Sequence, residues 1–304
     1  PRQAAGKAAK DTTEEVTVET SDGVSVRAWY YPLAEKAEPR GTVILIHDLG
    51  GSHRTVEPLA KALQAAGYAV VAPDLRGHGQ SRLEHLPASQ DDQSKLLKRS
   101  DFEMMSASAG GQKRDQSAVR GDIECVRNWI KQRADAGTLV MQPLFVVGSG
   151  LGATVAATWT AADANWRDLA TGPQGREVAG LVLISPTFAT KGYGIAPALA
   201  QEQVRKTVPV LVIAGSGERD ATKVFDKLKT QRLREWFDSR HPPGDDKDAS
   251  PVAADKASLS LLVHPAVASG DALATLRSAD PRARAGDPAN LLQGFLPLAA
   301  SRKE

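Results

Sequence analysis

The stretch PLFVVGSGLGATVAA, Pro143 to Ala157, runs an apolar segment into a glycine-rich turn and then a series of small residues. Read as strand, turn and helix, it leaves the first N–H groups of the helix without intrahelical partners. Helix starts of this kind attract a carboxylate, a phosphate or a polarised carbonyl oxygen. A nucleophile at the centre of the turn would add covalent catalysis to that anion site. In Gly148-Ser149-Gly150-Leu151-Gly152 the centre is Gly150, which has no oxygen, sulfur or carboxylate to offer. Ser149 is the hydroxyl closest to it. Centring the turn on Ser149 would put Val147 and Leu151 where a tight turn needs small residues.

The other chemistry-bearing residues are scattered. Glu218 and Asp220 follow the apolar run VPVLVIAG, where either could serve as an acid. Of the six histidines, His47 and His78 lie in glycine-containing loops, and His53, His85 and His241 fall in loops or helix starts without a visible partner. His264 ends a strand-like run. No His, Cys, Asp or Glu cluster has the spacing of a metal site, so neither a metal nor another cofactor is expected. The single cysteine, Cys125, sits in an amphipathic helical pattern and reads as a small buried hydrophobe rather than a reactive thiol.

The elements that would position these residues are legible from periodicity. EEVTVETSDGVSVRAWYYP alternates about Ser21-Asp22-Gly23 as a β-hairpin. GTVILIHDLGG, YAVVAPDLRGHGQS, LFVV, GLVLIS and VPVLVIAG are continuous apolar runs, the mark of strands covered on both faces. A last strand spans about residues 257–263, and a C-terminal helix lies near 289–300. Val56, Leu59 and Leu63 share one helical face, as do Val119, Ile123, Val126 and Ile130. A hairpin followed by strand–helix units predicts an α/β protein. Its sheet is expected to be a single doubly wound, mostly parallel one of eight strands with helices on both faces. Ligand sites in such sheets lie beyond the carboxyl ends of the strands, where the glycine-rich turns fall.

Composition limits the classes of function. A hydrophobic fraction of 41% beside 24% charged residues, and a net charge of +2 over 304 residues, describe a globular chain without the basic footprint of a nucleic-acid binder. No apolar run approaches the roughly 20 residues of a membrane helix. Residues 1–13 read as a flexible leader, an artificial boundary or the remnant of an export signal, so the compartment stays open between cytoplasmic and exported. Residues 14–304 read as one domain with a polar insertion at about 82–117.

Four landmarks together resemble the α/β-hydrolase superfamily, and most closely its lysophospholipase-like and esterase-like members. They are HDLGGS (His47 to Ser52), DLRGHGQS (Asp74 to Ser81), the turn at Gly148 to Gly152, and their order between strands. The resemblance implies a nucleophile–acid–histidine triad in that chain order and an oxyanion hole of two backbone N–H groups. Mapped on this chain, the triad positions are Gly150, Asp220 (or Glu218) and Ser269; GDAL after Ser269 matches the family's continuation. The oxyanion-hole N–H groups fall on Leu49 and Leu151, with Asp48 in place of the usual glycine of that loop. Two of three triad members are therefore missing. The expectation is a hydrolase fold that no longer hydrolyses and serves as a binding or interaction module. Its partner would be a small carbonyl- or anion-bearing ligand or a protein. The alternative is an esterase or lysophospholipase-like carboxylic-ester hydrolase working through a non-standard nucleophile or base.

Overall fold

The structure, a computed structural model, describes residues 13–33, 37–87, 92–108, 119–166 and 174–303. The hairpin forms β1 (Glu14–Glu19) and β2 (Ser25–Tyr31), paired antiparallel with Val18 opposite Val26. Next come β3 (Thr42–Ile46), α1 (His53–Ala65), β4 (Ala69–Pro73), α2 (Arg99–Met105), α3 (Asp122–Asp135), β5 (Leu144–Ser149) and α4 (Leu151–Asp163). They are followed by β6 (Val178–Ile184), a two-stranded ribbon of β7 (Ala189–Thr190) and β8 (Tyr193–Gly194), and α5 (Ala196–Ala200). The chain continues through β9 (Val210–Ala214), α6 (Arg219–Lys229), β10 (Trp236–Asp238), β11 (Leu259–Val263), α7 (Gly270–Ala274) and α8 (Pro288–Ser301).

The main sheet has the order β1-β2-β4-β3-β5-β6-β9-β11-β10, parallel apart from β1 and β2. It therefore contains nine strands, one more than the apolar runs predict. The extra strand, β10, is a three-residue edge, too short for periodicity to reveal, and it pairs parallel with β11 through Trp236 opposite Leu259.

Successive side chains of each strand enter opposite cores, as the two-residue period requires. Ile44 and Ile46 of β3 pack in the core that also takes α3, α4, α5 and α6 through Val126, Val155, Ala198 and Val224. Val43 and Leu45 face the other core, which α1, α7 and α8 close with Leu59, Leu273 and Leu296. Both faces are covered, so the central strands are apolar throughout.

The segment after β4, expected as a polar insertion, carries buried anchors among its described residues. Leu83, Gln93, Leu97, Phe102 and Met105 are all buried, and Gln93 fixes the turn by accepting the Leu83 N–H at 2.8 Å. The polar residues counted in the sequence hide the few large apolar anchors that fasten this segment to the domain. The leader up to residue 12 and the stretches 88–91 and 109–118 of the insertion lie outside the described residues. Cys125 is buried, its thiol pointing to the Glu19 carbonyl, and burial raises its pKa to about 11, so it stays protonated.

Candidate functional site

β3 and β5 lie side by side with Ile46 opposite Gly148, so the loop after β3 and the turn after β5 meet at the same end of the sheet. The turn is tight because three glycines let it be. A Cβ on Gly148 would strike the Gly152 carbonyl, and one on Gly152 would strike the backbone of Ile46 and His47. Gly150 itself has φ +53° and ψ −117°, a conformation that costs other residues on the order of 1–3 kcal/mol.

Above Gly150 sits the carboxylate of Asp48. Its Oδ1 accepts the N–H groups of both Leu49 and Leu151, each at 2.7 Å. The two donors that the sequence aims at an external anion are thus satisfied from within the chain. The same carboxylate occupies the space that a side chain at position 150 would need. A Cβ built on Gly150, or on Gly270 beside Ser269, would collide with it. Its pKa is raised, first by burial and then by the neighbouring Asp271 carboxylate, against the lowering by its two N–H partners.

Asp271 organises the layer beneath. Its Oδ1 accepts the Asp48 N–H at 2.9 Å and the Ser149 hydroxyl, and its Oδ2 accepts the Thr55 hydroxyl. Ser149 is only 2% exposed, and its hydroxyl is committed to a carboxylate rather than to a histidine.

Beside Asp48 opens a cavity of about 340 Å³ that brings Ser269, Glu218 and Asp220 together with Ser185 and Arg219. Glu218 accepts the Gly215 N–H at 2.8 Å and the Ser185 hydroxyl at 2.9 Å. Asp220 accepts the Phe188 N–H at 2.9 Å. Burial, followed by the charges of Asp48 and Asp220, raises the Glu218 pKa. No histidine is among the residues lining this cavity. Ser269 caps α7 in extended conformation and supplies no base. His264 lies elsewhere: its Nδ1 accepts the Ala266 N–H at 3.0 Å, and its Nε2 lies 3.7 Å from the Asp287 carboxylate. His47 is a brace, donating from Nδ1 to the Asp48 carbonyl at 2.7 Å and accepting the Leu75 N–H at Nε2. Among the described residues no group of three or more His, Cys, Asp or Glu is placed to hold a metal ion.

Sequence reasoning placed Gly150, Glu218, Asp220 and Ser269 near one another in function, and the topology brings the last three to one cavity beside the first. It missed Asp271, whose only signal was an acid directly after Ser269-Gly270. It also treated Asp48 as a charge near the anion site, whereas the carboxylate fills that site.

The fold is shared with solved hydrolases of low sequence identity. A soluble variant of monoglyceride lipase from Saccharomyces cerevisiae matches with a TM-score of 0.54 at 14% identity, covering 97% of this chain and 99% of that one. A thermophilic carboxylesterase from a metagenomic library matches with 0.54 at 17% identity, covering 93% and 88%. Dienelactone hydrolase from Anabaena variabilis matches with 0.53 at 15% identity, covering 94% and 97%. A comparison with curated protein sequences finds no match. The model of the serine aminopeptidase S33 family matches residues 37–233, well over half the chain. With its α/β-hydrolase sheet and the ordered turns at that sheet's carboxyl end, the chain belongs to the serine aminopeptidase S33 family of α/β hydrolases.

Proposed function

We propose that this chain is a non-hydrolytic member of its family, acting as a binding or interaction module. The observation that carries the reading is the Asp48 carboxylate seated on the Leu49 and Leu151 N–H groups. Acyl transfer through a tetrahedral intermediate needs donors about 2.7–3.1 Å from the developing oxyanion. Here those donors are taken, and the acceptor that takes them carries the sign of charge the oxyanion would have. Gly150 supplies no nucleophile, Ser149 is held by Asp271, and the described residues lining the cavity include carboxylates but no histidine. Removing a triad nucleophile alone costs on the order of 10⁶-fold in turnover.

The acidic lining also bears on what the module accepts. Asp48, Glu218 and Asp220 border a cavity whose one cationic liner is Arg219, so an anionic or carbonyl ligand gains little there. Purified protein incubated with a fluorophosphonate probe and assayed with p-nitrophenyl acetate and butyrate tests the reading. The expected outcome is no covalent adduct and hydrolysis at the buffer rate. Stoichiometric labelling of any serine would overturn it.

A further inference from the structure

A cavity of about 230 Å³ lies at the amino end of the sheet, between the last turn of α4, the starts of β6 and β9, and the end of α8. Its described walls divide by chemistry. Val178, Val208 and Pro209 are buried and give it an apolar floor. Arg176, Arg302 and Lys303 are exposed and form its rim. Two of these cations are held by carbonyl oxygens: Arg302 Nη2 donates to the Asp255 carbonyl at 3.3 Å, and Lys303 Nζ donates to the Glu177 carbonyl. A carbonyl orients a cation without neutralising its charge. Glu177 commits its own carboxylate to Arg127 of α3, whose Nε donates to it at 2.6 Å. Behind the floor lies Arg232, 3% exposed, which donates to the carbonyls of Val204, Arg205, Val208 and Ser258. Burial lowers its pKa to about 10, with Arg302 adding to the fall and Glu235 opposing it.

Asp163 is the one acidic residue among the described liners. It is 2% exposed, and its Oδ2 accepts the Glu177 N–H at 2.8 Å. Burial, followed by the charges of Glu177 and of Glu124 on α3, raises its pKa to about 6, against the lowering by that N–H and by Arg127. Lys303 faces it from the end of α8, where burial lowers the pKa of the ammonium and the charges of Asp163 and Glu177 oppose the fall. One carboxylate against three rim cations, with Arg232 behind them, leaves an excess of positive charge. The volume is more than ten times the roughly 10–15 Å³ that one water needs, so there is room for an anion carrying a short carbon stem.

We propose that this cavity binds a short-chain phosphate monoester, its dianion against Arg176, Arg302 and Lys303 and its stem on Val178, Val208 and Pro209. Arginine and lysine together are the groups that hold phosphate. The site lies at the opposite end of the sheet from Gly150 and is independent of whether that turn hydrolyses anything. n-Propyl phosphate is the probe, titrated calorimetrically at pH 7 and fixed ionic strength. 1-Propanol carries the stem alone, sulfate the double charge alone, and butyrate a single charge. Saturable one-to-one binding of propyl phosphate is expected, with sulfate and butyrate weaker and no response to propanol. Arg302→Gln and Lys303→Gln, both at exposed positions, should each weaken it about fivefold through loss of a charge-assisted contact. Asp163→Asn keeps an acceptor for the Glu177 N–H and should tighten it about threefold, a direction that damage to the fold would not produce. A phosphate monoester itself titrates near pH 6, whereas sulfate stays doubly charged, so sulfate reports on Asp163 in the parent chain. Its binding should tighten about threefold from pH 7.5 to pH 5. No saturable binding at 10 mM propyl phosphate would overturn the proposal. Binding that survives Arg302→Gln and Lys303→Gln together would do the same, since the anion would then be held elsewhere. Butyrate binding as tightly as propyl phosphate would show a site that reads only one charge, and sulfate binding that ignores pH would place the anion outside this cavity; either result sinks the idea.

Discussion

The loop from Asp48 to Ser52 has two sides, and the two glycine-rich turns it touches have been treated in opposite ways. On one side Asp48 reaches over Gly150, satisfies the N–H groups of Leu49 and Leu151, and fills the space a side chain would take. On the other side the turn around Gly77 and Gly79 buries His78 with one nitrogen that has no hydrogen-bond partner among the described residues, and a cavity lies beside the turn. Glycine is needed in both places, but for different ends. At 150 it makes room for a carboxylate from the same chain, and at 50 it gives the positive φ of a turn beside a cavity. The turn centred on Gly150 is thus filled from within, while a neighbouring loop of similar composition borders a cavity.

The largest expected effect tests what holds the open turn in place. Arg76 is 2% exposed and grips Asp122 through its backbone N–H at 2.9 Å and its Nε at 2.8 Å, while its two terminal nitrogens hold Asp22. Arg76→Met would strand the fully buried Asp122 carboxylate at the start of α3, where the helix N-terminus compensates only in part. A loss of about 3–5 kcal/mol in denaturant unfolding is expected, because the buried partner keeps its desolvation cost without its counter-ion. A loss below 1 kcal/mol would mean that Asp122 is accommodated in its neutral form, and that the turn does not depend on the pair.

Gly150→Ser comes next. The new Cβ meets the Asp48 carboxylate and the positive φ together, so destabilisation of about 3 kcal/mol is expected from overpacking and backbone strain. Asp48→Gly in the same chain should return most of it, a coupling that a double-mutant cycle reads directly. On the proposed reading, hydrolysis would call for Asp48→Gly, Gly150→Ser and Ser269→His together, since the carboxylate crowds the new serine. If Gly150→Ser is as stable alone as with Asp48→Gly, the carboxylate is not what closes this side.

The longer strands, their order of appearance and the apolar face of α1 were legible because hydrophobic periodicity is a local signal. Val56, Leu59 and Leu63 lie three or four residues apart and needed no tertiary knowledge to be placed on one face. Gly150 was legible because the residues flanking it fix the frame of the turn. The hydrogen bond from Leu151 to Asp48 joins residues 103 positions apart, and that from Ser149 to Asp271 joins residues 122 apart. No local pattern reports such pairings. The same holds for His78, whose unsatisfied nitrogen is a property of what fails to surround it. Sequence displays which groups are present, and only packing shows which of them are already spent.

The smallest expected effect concerns the charge on Asp48. Asp48→Asn keeps an Oδ1 that can accept the Leu49 and Leu151 N–H groups, and it removes the negative charge beside Asp271. Burial and that neighbour raise the Asp48 pKa above 3.8 in the folded state, so the native chain binds this proton more tightly than the unfolded one. Stability from this group is accordingly present at pH below the unfolded value. It declines as pH rises from there through the folded value, and is level above it. The asparagine variant lacks that decline. Its Tm relative to the parent should therefore be higher at pH 7 than at pH 3.5, and Glu218, whose pKa the Asp48 charge helps to raise, shifts the comparison in the same direction. An unchanged difference between the two pH values would mean that the two N–H donors fully offset burial at Asp48. The closed side would then hold its anion without strain, as a helix N-terminus holds a bound one.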